Sequence, residues 1–406
     1  MINIIGLGYI GLPTALMFAK SGIKVVGTDY DANLVNSLQD GKLTFEEEGL
    51  EELFKESLSN GVEFSTEYQK THTYILAVPT PFIKESKKLD PKYVISAVNS
   101  VLDVCEKGAV MIIESTISPG TTDKYIRPEI EKRGYVIGED VHVMHAPERI
   151  IPGNMIYELE NNARTIGTDD PEVGNKIKGL YSNFCKAEII VTDIRSAEMS
   201  KVVENTYRDI NIAFANELAK ISRTDNMDVY EIIRTANMHP RVNIMQPGPG
   251  VGGHCISVDP WFLVGDYPDL TNLILTARKI NDSMPRHVLG RIRDIMRKHD
   301  IKDISKVGLY GLAYKENVDD TRESPTLQLL ERMDDHLAFG VKVFDPFVKE
   351  RIVDHQFMNF EDFMNEIEIV VVMVGHDHIK NNMDFIKDKH VLDTKNICTF
   401  DSVYKL

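Results

Sequence analysis

Cysteine is scarce in this sequence of 406 residues, and its spacing has no metal or disulfide pattern. The four cysteines are Cys105, Cys185, Cys255 and Cys398, and no two of them form a Cys-x-x-Cys pair. Scattered cysteines of this kind argue against a zinc site or a disulfide framework. We therefore expect no bound metal, and we expect the thiols to reside in a reducing, cytoplasmic setting.

Long apolar runs and an excess of positive charge are also missing. No stretch approaches the ~20 consecutive apolar residues of a membrane-spanning helix, and the N-terminus lacks the basic segment of a signal peptide. Lys and Arg number 46 against 62 Asp and Glu, which gives a formal net charge of -16. An acidic surface repels phosphate backbones and anionic lipids, so we expect neither a nucleic acid nor a membrane as partner.

The residues that are present, 43% hydrophobic and 27% charged, are typical of a globular protein. The length predicts two or three domains. Predicted strands and helices alternate at both ends of the chain, and helices dominate the middle. We therefore predict an α/β protein with two Rossmann-like, doubly wound parallel-sheet domains, joined by a central helical region with a long helix. The predicted boundaries are 1–194, 195–300 and 301–406.

The first of these domains opens on a glycine-rich turn between a strand and a helix. A predicted strand at Met1–Ile5 leads into Gly6-Leu7-Gly8-Tyr9-Ile10-Gly11, and a helix predicted at Leu12–Ser21 follows. Asp29 ends the next predicted strand, 18 residues after the third glycine. In this pattern the glycines let a pyrophosphate approach the helix N-terminus, and the acid binds the adenosine ribose. We predict NAD rather than NADP, because a carboxylate repels a 2′-phosphate.

Polar residues follow three further predicted strands of this domain. The strands are Tyr74–Val78, Val110–Glu114 and Val141–His145. Ligands of open parallel sheets lie beyond the carboxyl ends of the strands, so these residues are candidate contacts. They are Thr80, Thr116, Glu148 and Arg149. The threonines are expected to touch the cofactor, whereas Glu148 and Arg149 could equally form an exposed ion pair.

A long helix is predicted at Ala197–Ser222, where no glycine or proline interrupts the chain. One face of it carries three polar residues at helical spacing, Lys201, Asn205 and Arg208. Solvated faces explain most such patterns. Because apolar residues surround this stripe, we predict a largely buried helix whose polar groups need partners, which substrate oxygens could supply. Further on, a helical stretch at about Leu270–Lys298 contains Pro285, which should break or kink it.

The middle region also contains Pro247–Pro260, the sequence PGPGVGGHCISVDP, which we call the cysteine loop. Its glycines allow positive φ and close approach of the backbone to a ligand. Cys255, with His254 beside it and Asp259 four residues later, is therefore a candidate nucleophile toward a carbonyl. The alternative is a small buried hydrophobic residue in a surface loop.

A second α/β pattern starts near Lys306, with strands predicted at Lys306–Tyr310, Val341–Phe344, Ile369–Val374 and His390–Leu392. Its first turn, Gly311-Leu312-Ala313-Tyr314-Lys315, lacks the GxGxxG pattern. We therefore predict a Rossmann-like sheet that binds something other than a dinucleotide. Each of three cations in turns after strands would alone more often be a solvated surface residue, but a shared sheet edge makes them candidate ligands. They are Lys315, Arg322 and Lys395.

Taken together, these motifs resemble those of the nucleotide-sugar 6-dehydrogenases, a family that includes UDP-glucose dehydrogenase. The resemblance covers nearly the whole chain. It rests on a fixed order of segments, namely 6–11, 78–81, 114–116, 146–149, 198–201, 204–205, the cysteine loop, 311–315 and 319–325.

The resemblance implies a four-electron oxidation of a sugar C6 alcohol to a carboxylate, with two NAD reduced per sugar. It implies that Cys255 captures the C6 aldehyde as a thiohemiacetal, and that water hydrolyses the thioester formed next. Lys201 would act as acid and base and stabilise the oxyanion, with Asn205 as a further donor. Asp259 and Glu148 would assist proton transfer or position water.

The resemblance also implies binding positions and an assembly. The NAD positions are Gly6, Gly8, Tyr9, Ile10, Gly11, Asp29, Thr80, Thr116 and Arg322. The substrate positions are Arg149, Ile150, Lys201, Asn205, Arg208, His239, Arg241, Gly252, Tyr314, Lys315 and Lys395. Residues 1–194 would then bind NAD, 195–300 would dimerise and carry the cysteine loop, and 301–406 would bind the UDP-sugar. The family forms dimers through its central helices, often further assembled, and His239 and Arg241 could cross between subunits.

Within the family, the residues around the cysteine favour one branch. UDP-glucose enzymes have serine before the cysteine and Pro-Lys-Asp after it, whereas this chain has His254-Cys255-Ile256-Ser257-Val258-Asp259-Pro260-Trp261-Phe262. With His239-Pro240-Arg241, this is similar to the branch that oxidises UDP-N-acetyl-D-mannosamine. Ser257 stands where that branch usually has alanine. The alternatives are a UDP-N-acetylglucosamine 6-dehydrogenase and a UDP-glucose dehydrogenase, and the choice of C2 epimer rests on the resemblance alone.

Three other classes of protein share parts of these motifs. A single-step hydroxyacid dehydrogenase needs neither a nucleophilic cysteine nor a second α/β domain. A short-chain epimerase or reductase needs Tyr-x-x-x-Lys, which none of the 15 tyrosines provides. A non-catalytic sensor of NAD and nucleotide sugar would have no use for Cys255, Lys201 and Asn205. The sequence indicates neither a glycan pathway nor a feedback inhibitor.

Overall fold

A computed structural model describes residues 1–335, 340–400 and 402–406 of the chain. The chain divides into two units, Met1–Glu204 and Asn205–Leu406, and the boundary falls inside a 31-residue helix, Ile194–Thr224. The three predicted domains remain a prediction. Both units alternate strands and helices, as the sequence pattern predicts.

An eight-stranded sheet forms the centre of the first unit, in the order β3-β2-β1-β4-β5-β6-β7-β8. Every neighbouring pair is parallel except β6 and β7, which are antiparallel. The residues of β1 and β2 are buried throughout, as expected for strands that are covered on both faces. The strands are β1 (Ile2–Ile5), β2 (Val25–Thr28), β3 (Glu63–Ser65), β4 (Thr73–Leu76), β5 (Ala109–Ile113), β6 (Val141–His145), β7 (Arg164–Thr168) and β8 (Ile189–Thr192).

Helices of the first unit cover this sheet. Nine consecutive residues of the first helix, from Gly11 to Ala19, are buried. Asp31 and Asp170 begin the second and seventh helices by accepting hydrogen bonds from backbone N–H groups of the first turn. The helices are α1 (Gly11–Lys20), α2 (Ala32–Gln39), α3 (Leu50–Ser59), α4 (Lys92–Val104), α5 (Arg127–Lys132), α6 (Met155–Asn161) and α7 (Pro171–Tyr181), with a π-helical turn at Thr122–Ile126 before α5.

Helices also dominate the middle of the chain. They are α8 (Ile194–Thr224), α9 (Val229–Ala236), α10 (Asp259–Asp266), α11 (Asn272–Asp282) and α12 (Met284–Lys298). The predicted break at Pro285 is confirmed, because α11 ends at Asp282 and Pro285 lies in the first turn of α12. A proline is tolerated there because the first turn of a helix leaves its N–H groups unbonded.

Within the described residues, a six-stranded sheet in which every neighbouring pair is parallel follows, in the order β11-β10-β9-β12-β13-β14. Its apolar strands 307–310 and 369–372 are buried throughout. The strands are β9 (Val307–Tyr310), β10 (Lys342–Phe344), β11 (Gln356–Phe357), β12 (Ile369–Val372), β13 (His390–Asp393) and β14 (Val403–Lys405), and the helices are α13 (Pro325–Asp335), α14 (Phe360–Glu366) and α15 (Asp377–Lys380).

The predicted fold class is confirmed. Both sheets contain the Rossmann strand order 3-2-1-4-5-6, counted from the first strand of each, and α8 is the predicted long helix. The antiparallel β6–β7 pair is a feature the sequence does not predict, because buried strands look alike whichever way they run. In the described part of the chain, no helix is both long enough and apolar enough to cross a membrane.

Candidate active site

The glycine-rich turn after β1 has one glycine for each of three steric demands. Gly6 has φ +90°, and a Cβ there would lie 2.5 Å from the carbonyl oxygen of Ala77. A Cβ on Gly11 would lie 1.8 Å from the carbonyl oxygen of Gly6, so α1 could not pack against the turn. A Cβ on Gly8 would meet no atom within 4 Å. Gly8 therefore faces open space, which is where a bound pyrophosphate needs room beside the helix N-terminus.

Asp29 lies at the end of β2 and is tied to this turn. Its Oδ2 accepts a hydrogen bond from the N–H of Leu7 at 2.8 Å, and its Oδ1 accepts one from Asp31 at 3.0 Å. Two carboxylate oxygens offer about four acceptor positions, so a fixed carboxylate still has capacity for ribose hydroxyls. The turn and the acid thus fit the adenosine half of a dinucleotide.

The remaining predicted cofactor positions of the first unit lie around the same strand ends. Thr80 is buried, while Ile10 and Thr116 are half-buried. The ring of Tyr9 packs against Phe45 at 4.4 Å between centroids. The turns after β4 and β5 are joined because the hydroxyl of Ser115 donates to the carbonyl of Val78 at 2.7 Å.

Glu148 belongs to a buried ionic cluster. The guanidinium of Arg164 lies between two carboxylates, with Glu114 at 3.1 Å and Glu148 in closer contact, and all three side chains are at most 4% exposed. Burial raises the pKa of Glu114, and Arg164 opposes that rise. Glu148 also accepts a hydrogen bond from the backbone N–H of Arg149 at 2.7 Å. The exposed ion pair considered for Glu148 and Arg149 is therefore wrong, because Glu148 pairs with Arg164 inside the unit.

The side chain of Arg149 turns instead to α8. Its Nε donates to both carboxylate oxygens of Glu204 at 2.9 Å, and its Nη2 donates to the hydroxyl of Thr165 at 3.0 Å. Ile150, the next predicted substrate position, is buried. A ligand that used Arg149 would have to share its guanidinium with Glu204.

The polar stripe of α8 is buried, as predicted, at two of its three positions. Lys201 is 6% exposed and Asn205 is 5% exposed, whereas Arg208 is half-buried. Among the residues that the structure describes, the ammonium of Lys201 forms neither a hydrogen bond nor an ion pair. Asn205 donates from Nδ2 to Oδ2 of Asp259 at 2.6 Å. A lysine with a largely buried side chain and no protein partner among the described residues is suited to a ligand that supplies oxygen atoms.

The cysteine loop ends in a tight turn that leads directly into α10. The carbonyl of Cys255 accepts hydrogen bonds from Val258 at 3.1 Å and from Asp259 at 2.9 Å. Ser257 donates from its hydroxyl to the carbonyl of Gly253. Cys255 is exposed, which contradicts the alternative of a small buried hydrophobic residue, and Asp259 is 3% exposed. The loop therefore presents a thiol to solvent while its acid is held inside.

Two glycines of the loop are required by close packing. A Cβ on Gly252 would lie 2.6 Å from the carbonyl oxygen of Glu323 and 2.8 Å from the Cβ of Tyr314. Gly253 has φ +81°, and a Cβ there would lie 2.8 Å from the Tyr314 ring. The N–H of Gly253 also donates to the carbonyl of Arg322 at 2.8 Å. The sequence-predicted residues Tyr314 and Arg322 are thus brought together with Gly252 and Gly253 of the cysteine loop.

Two of the predicted cations of the second unit, Arg322 and Lys395, are engaged with acids. The Nε of Arg322 donates to Asp320 at 2.9 Å. Lys395 lies 3.2 Å from Glu316, and although burial alone would raise the pKa of Glu316, Lys395 lowers it. Lys315 is half-buried. The protein atoms around His254, and then the charge of Arg322, lower its pKa, although the residue is exposed to solvent.

His239 and Arg241 lie apart from these contacts. Both follow α9 and are exposed, and the N–H of Arg241 donates to Nδ1 of His239 at 3.3 Å. In the described part of the chain, neither side chain hydrogen-bonds to the cysteine loop.

Sequence reasoning missed the polar side chains that fasten the cysteine loop to α8. Asn216 accepts a hydrogen bond from the N–H of Gly248 at 2.8 Å and donates to Asn281 at 2.9 Å. Asp209 forms a 2.6 Å ion pair with Arg278, and both side chains are at most 2% exposed. The available signal was the polar spacing 205, 209 and 216, which extends the predicted stripe by two further residues along α8.

Comparison with known proteins identifies relatives that span nearly the whole chain. The UDP-N-acetyl-D-mannosamine dehydrogenase of Methanocaldococcus jannaschii is 42% identical over 98% of this chain and 92% of its own length. The NDP-N-acetyl-D-galactosaminuronic acid dehydrogenase of Ralstonia nicotianae is 37% identical over 98% and 96%. The solved structure of the UDP-N-acetyl-mannosamine dehydrogenase of Staphylococcus aureus is 41% identical, with a TM-score of 0.89 over 100% of this chain and 97% of that one.

Family profiles match three consecutive segments of the chain. Residues 1–185 match the NAD binding domain of the UDP-glucose/GDP-mannose dehydrogenase family, 195–283 match its central domain, and 308–400 match its UDP binding domain. The NAD match agrees with the glycine turn and Asp29, whose geometry fits a dinucleotide. The chain therefore belongs to the UDP-glucose/GDP-mannose dehydrogenase family and is an NAD-dependent UDP-sugar dehydrogenase.

Proposed function

We propose that this enzyme oxidises the C6 alcohol of UDP-N-acetyl-D-mannosamine to the carboxylate through a covalent intermediate on Cys255. The observation that carries the proposal is the exposed thiol of Cys255 in a loop whose ends are fixed by buried contacts. A single-step alcohol dehydrogenase has no use for such a thiol. The family relationship and the names of the relatives support the substrate class.

The balance of the reaction is one alcohol, two NAD and one water giving one carboxylate, two NADH and three protons. When bound, NAD accepts hydride from C6, once from the alcohol and once from the covalent adduct. The residues proposed to hold it are Gly6, Gly8, Tyr9, Ile10, Gly11, Asp29, Thr80, Thr116 and Arg322. Gly8 leaves the space that the pyrophosphate needs, and Asp29 offers acceptors for the ribose.

Lys201 and Asn205 would act on the C6 oxygen. An ammonium on a largely buried side chain stabilises a developing alkoxide more strongly than one in open solvent, because less water screens the interaction. As the neutral amine, Lys201 takes up the proton of the alcohol, and as the resulting ammonium it stabilises the oxyanion or returns a proton to it, which makes it the acid and base of the sequence. Asn205 donates to the same oxygen, and its bond to Asp259 fixes the orientation of its amide.

Cys255 would supply the electron pair for the second half of the reaction. Its thiolate adds to the C6 aldehyde, and a C–S bond forms as the carbonyl oxygen becomes an oxyanion. After hydride loss the adduct is a thioester. Water then adds to its carbonyl, the C–S bond breaks, and the thiolate is regenerated. Asp259 would take the proton of this water, whereas Glu148, held by Arg164, would position groups through its charge.

The remaining contacts to the UDP-sugar are proposed as a set. These residues are Arg149, Ile150, Arg208, His239, Arg241, Gly252, Tyr314, Lys315 and Lys395. Cations such as Lys315 would offset the charge of the diphosphate. The protein as a whole would not offset it, because its net charge is -16. His239 and Arg241 are exposed and lie outside the loop contacts, which supports a role in the site of a partner subunit.

The choice of sugar rests on the 2-acetamido group. The relatives at 37% to 42% identity carry names of N-acetylated sugar substrates or products, one with manno and one with galacto configuration. A site that hydrogen-bonds this amide loses about 1–3 kcal/mol per unpaired buried group when UDP-glucose binds. We therefore expect UDP-N-acetyl-D-mannosamine to react about tenfold to a hundredfold faster than UDP-glucose, with UDP-N-acetylglucosamine intermediate or poor.

The test is a panel of UDP-sugars with NAD, scored by the uronate formed and by the NADH per sugar. Two NADH per sugar are expected with wild type. Cys255→Ser should bind NAD but form no uronate, because a hydroxyl is a far poorer nucleophile than a thiolate. Cys398→Ser is the matched control, since burial raises the pKa of Cys398 to about 12 and keeps it protonated. Uronate from Cys255→Ser would end the covalent proposal, and equal turnover of UDP-glucose would end the sugar assignment.

We also propose that the enzyme is a cytoplasmic homodimer or higher homo-oligomer. Exposed apolar side chains on α8 recur at heptad-like spacing, as at a helix–helix interface. They are Val203, Tyr207, Phe214 and Ile221, which are 46% to 61% exposed. A reducing compartment would keep the Cys255 thiol available for catalysis.

A further inference from the structure

Arg278 on α11 is a buried guanidinium beside the cysteine loop. It is 2% exposed. Its Nη1 donates to Oδ1 of Asp209 at 2.6 Å and reaches the carbonyl oxygen of Ile256 at 3.4 Å, while Nη2 donates to Asp282. Ile256 directly follows Cys255. One side chain therefore connects α8, α11 and the residue next to the proposed nucleophile.

The acid that holds Arg278 is itself fixed. Asp209 is one helical turn after Asn205 on α8, and it is fully buried. Asn281 donates to its Oδ1 at 2.7 Å and to its backbone carbonyl at 3.0 Å. Burial raises the pKa of Asp209 and Arg278 opposes the rise, so the carboxylate depends on this guanidinium. Arg278 cannot turn away from Ile256 without leaving a buried charge unpaired.

We propose that Arg278 is a positioning residue that sets the orientation of Cys255 for attack on the C6 aldehyde. This rests on the proposed function, since it assumes the covalent step. Asn205 fixes the loop at Asp259, and Arg278 fixes it at Ile256, so Cys255 is adjacent to one anchored residue and four residues before the other. Arg278 acts through the backbone and not on the sugar.

The two halves of the reaction depend on this anchor differently. Interconversion of alcohol and aldehyde forms no C–S bond, so it tolerates a displaced thiol. Oxidation of the aldehyde needs the sulfur within bonding reach of C6. Because misplacement by about 1 Å costs about 100-fold in rate, loss of the anchor should slow aldehyde oxidation by about that factor. Aldehyde reduction should change by less than about threefold, since no thiol attack is involved.

The experiment uses the UDP-sugar 6-aldehyde as substrate with each cofactor state. With NADH the enzyme reduces it to the alcohol, and with NAD it oxidises it to the carboxylate. Arg278→Met alone leaves Asp209 buried without its partner and could unfold the protein. The double variant Asp209→Asn with Arg278→Met removes both charges, so the fold should survive while Ile256 still lacks its donor. We expect this double variant to keep reduction and lose oxidation about 100-fold.

Three further variants decide between outcomes. Lys279→Met removes the neighbouring exposed cation and should behave as wild type. Arg278→Lys should recover part of the oxidation, because an ammonium can pair with Asp209 but cannot span the same three acceptors. Cys255→Ser should keep reduction and lose oxidation completely.

If Cys255→Ser still oxidises the aldehyde, the covalent function fails. If it does not, while the double variant oxidises normally or loses both reactions equally, only the positioning role of Arg278 is overturned.

Discussion

Lys201 shows at the scale of one residue how a side chain can be placed for a ligand and not for the fold. Its side chain is 6% exposed, and within the described residues its ammonium has no hydrogen-bond or ion-pair partner. Lys220, on the same helix, donates to the hydroxyl of Ser283 at 2.7 Å. Most of the side chain is buried although its ammonium makes no contact among the described residues that would stabilise the fold, so Lys201 is explained better by a ligand than by folding. Asn205, one turn further along α8, already donates to Asp259.

Lys201→Met is therefore expected to inactivate the enzyme while the fold survives. Methionine keeps the buried stem of the side chain, so the free energy of unfolding should change by less than about 1.5 kcal/mol. Loss of the acid and base should lower kcat by about 100-fold to 10,000-fold. Thermal melting and steady-state NADH formation measure the two effects. Lys220→Met is the control, because it removes a lysine of the same helix that bonds to Ser283 and lies outside the proposed site, so kcat should be kept. Full activity of Lys201→Met would remove this residue from the mechanism.

At the scale of the element, the two sheets begin with the same turn and use it differently. Gly6 donates to the carbonyl of Thr28 and Leu7 to Asp29, each at 2.8 Å. In the second unit Gly311 donates to Phe344 at 2.8 Å and Leu312 to Asp345 at 2.6 Å. The side chain of Asp345 is fully buried and lies 3.2 Å from Nε2 of His376, so contacts within the fold occupy its oxygens.

The glycine pattern of the sequence already distinguishes these two turns. The first turn keeps Gly8 and Gly11 and opens directly into α1, whereas α13 starts only at Pro325, fourteen residues after Gly311. Local patterns determine such turns, because glycine spacing is itself the steric requirement. The break before Pro285 was predictable from a local pattern too, because proline cannot continue the hydrogen bonds of a helix interior.

The long-range pairs were not predictable from the same sequence. Arg164 pairs with Glu114 across 50 residues, and Arg278 pairs with Asp209 across 69. Neither motif nor periodicity specifies which buried acid meets which guanidinium, since that depends on tertiary packing. Glu148 shows the consequence, because its partner is Arg164 and not the adjacent Arg149.

Gly253→Ala tests whether the cysteine loop needs its close contact with Tyr314. A Cβ at this position would lie 2.8 Å from the ring on a backbone with φ +81°, which costs about 1–3 kcal/mol. We expect the loop to shift and kcat to fall by about 100-fold. Gly290→Ala in α12 is the control, since its Cβ would meet no atom within 4 Å. It should raise the melting temperature, because alanine favours helix by about 1 kcal/mol over glycine. Comparable kcat values for the two variants would argue against a tight loop.

At the scale of the whole molecule, the net charge disfavours association, whereas the exposed apolar residues of one helix favour it. The net charge of -16 favours solubility and discourages unspecific association. Against this background, the exposed stripe of α8 contains an aromatic or aliphatic residue at 203, 207, 214 and 221. Scattered apolar residues on a surface are ordinary, but a stripe along one helix is typical of an interface. Tyr157 on α6 is 62% exposed and belongs to no such stripe.

Replacing Tyr207 and Phe214 with glutamate should therefore dissociate the proposed dimer. Each substitution would place a charge at an apolar helix–helix contact, where desolvation is costly and like charges from two copies would repel. Light scattering on a sizing column should report twice the chain mass of 46.0 kDa for wild type and 46.0 kDa for the double variant. Tyr157→Glu adds the same charge at a comparably exposed tyrosine and should leave the dimer intact. If wild type is already a monomer, or if the double variant stays dimeric, the interface does not involve this face of α8. If dissociation also abolishes turnover while the melting temperature is retained, residues that cross between subunits, such as His239 and Arg241, become the explanation to test next.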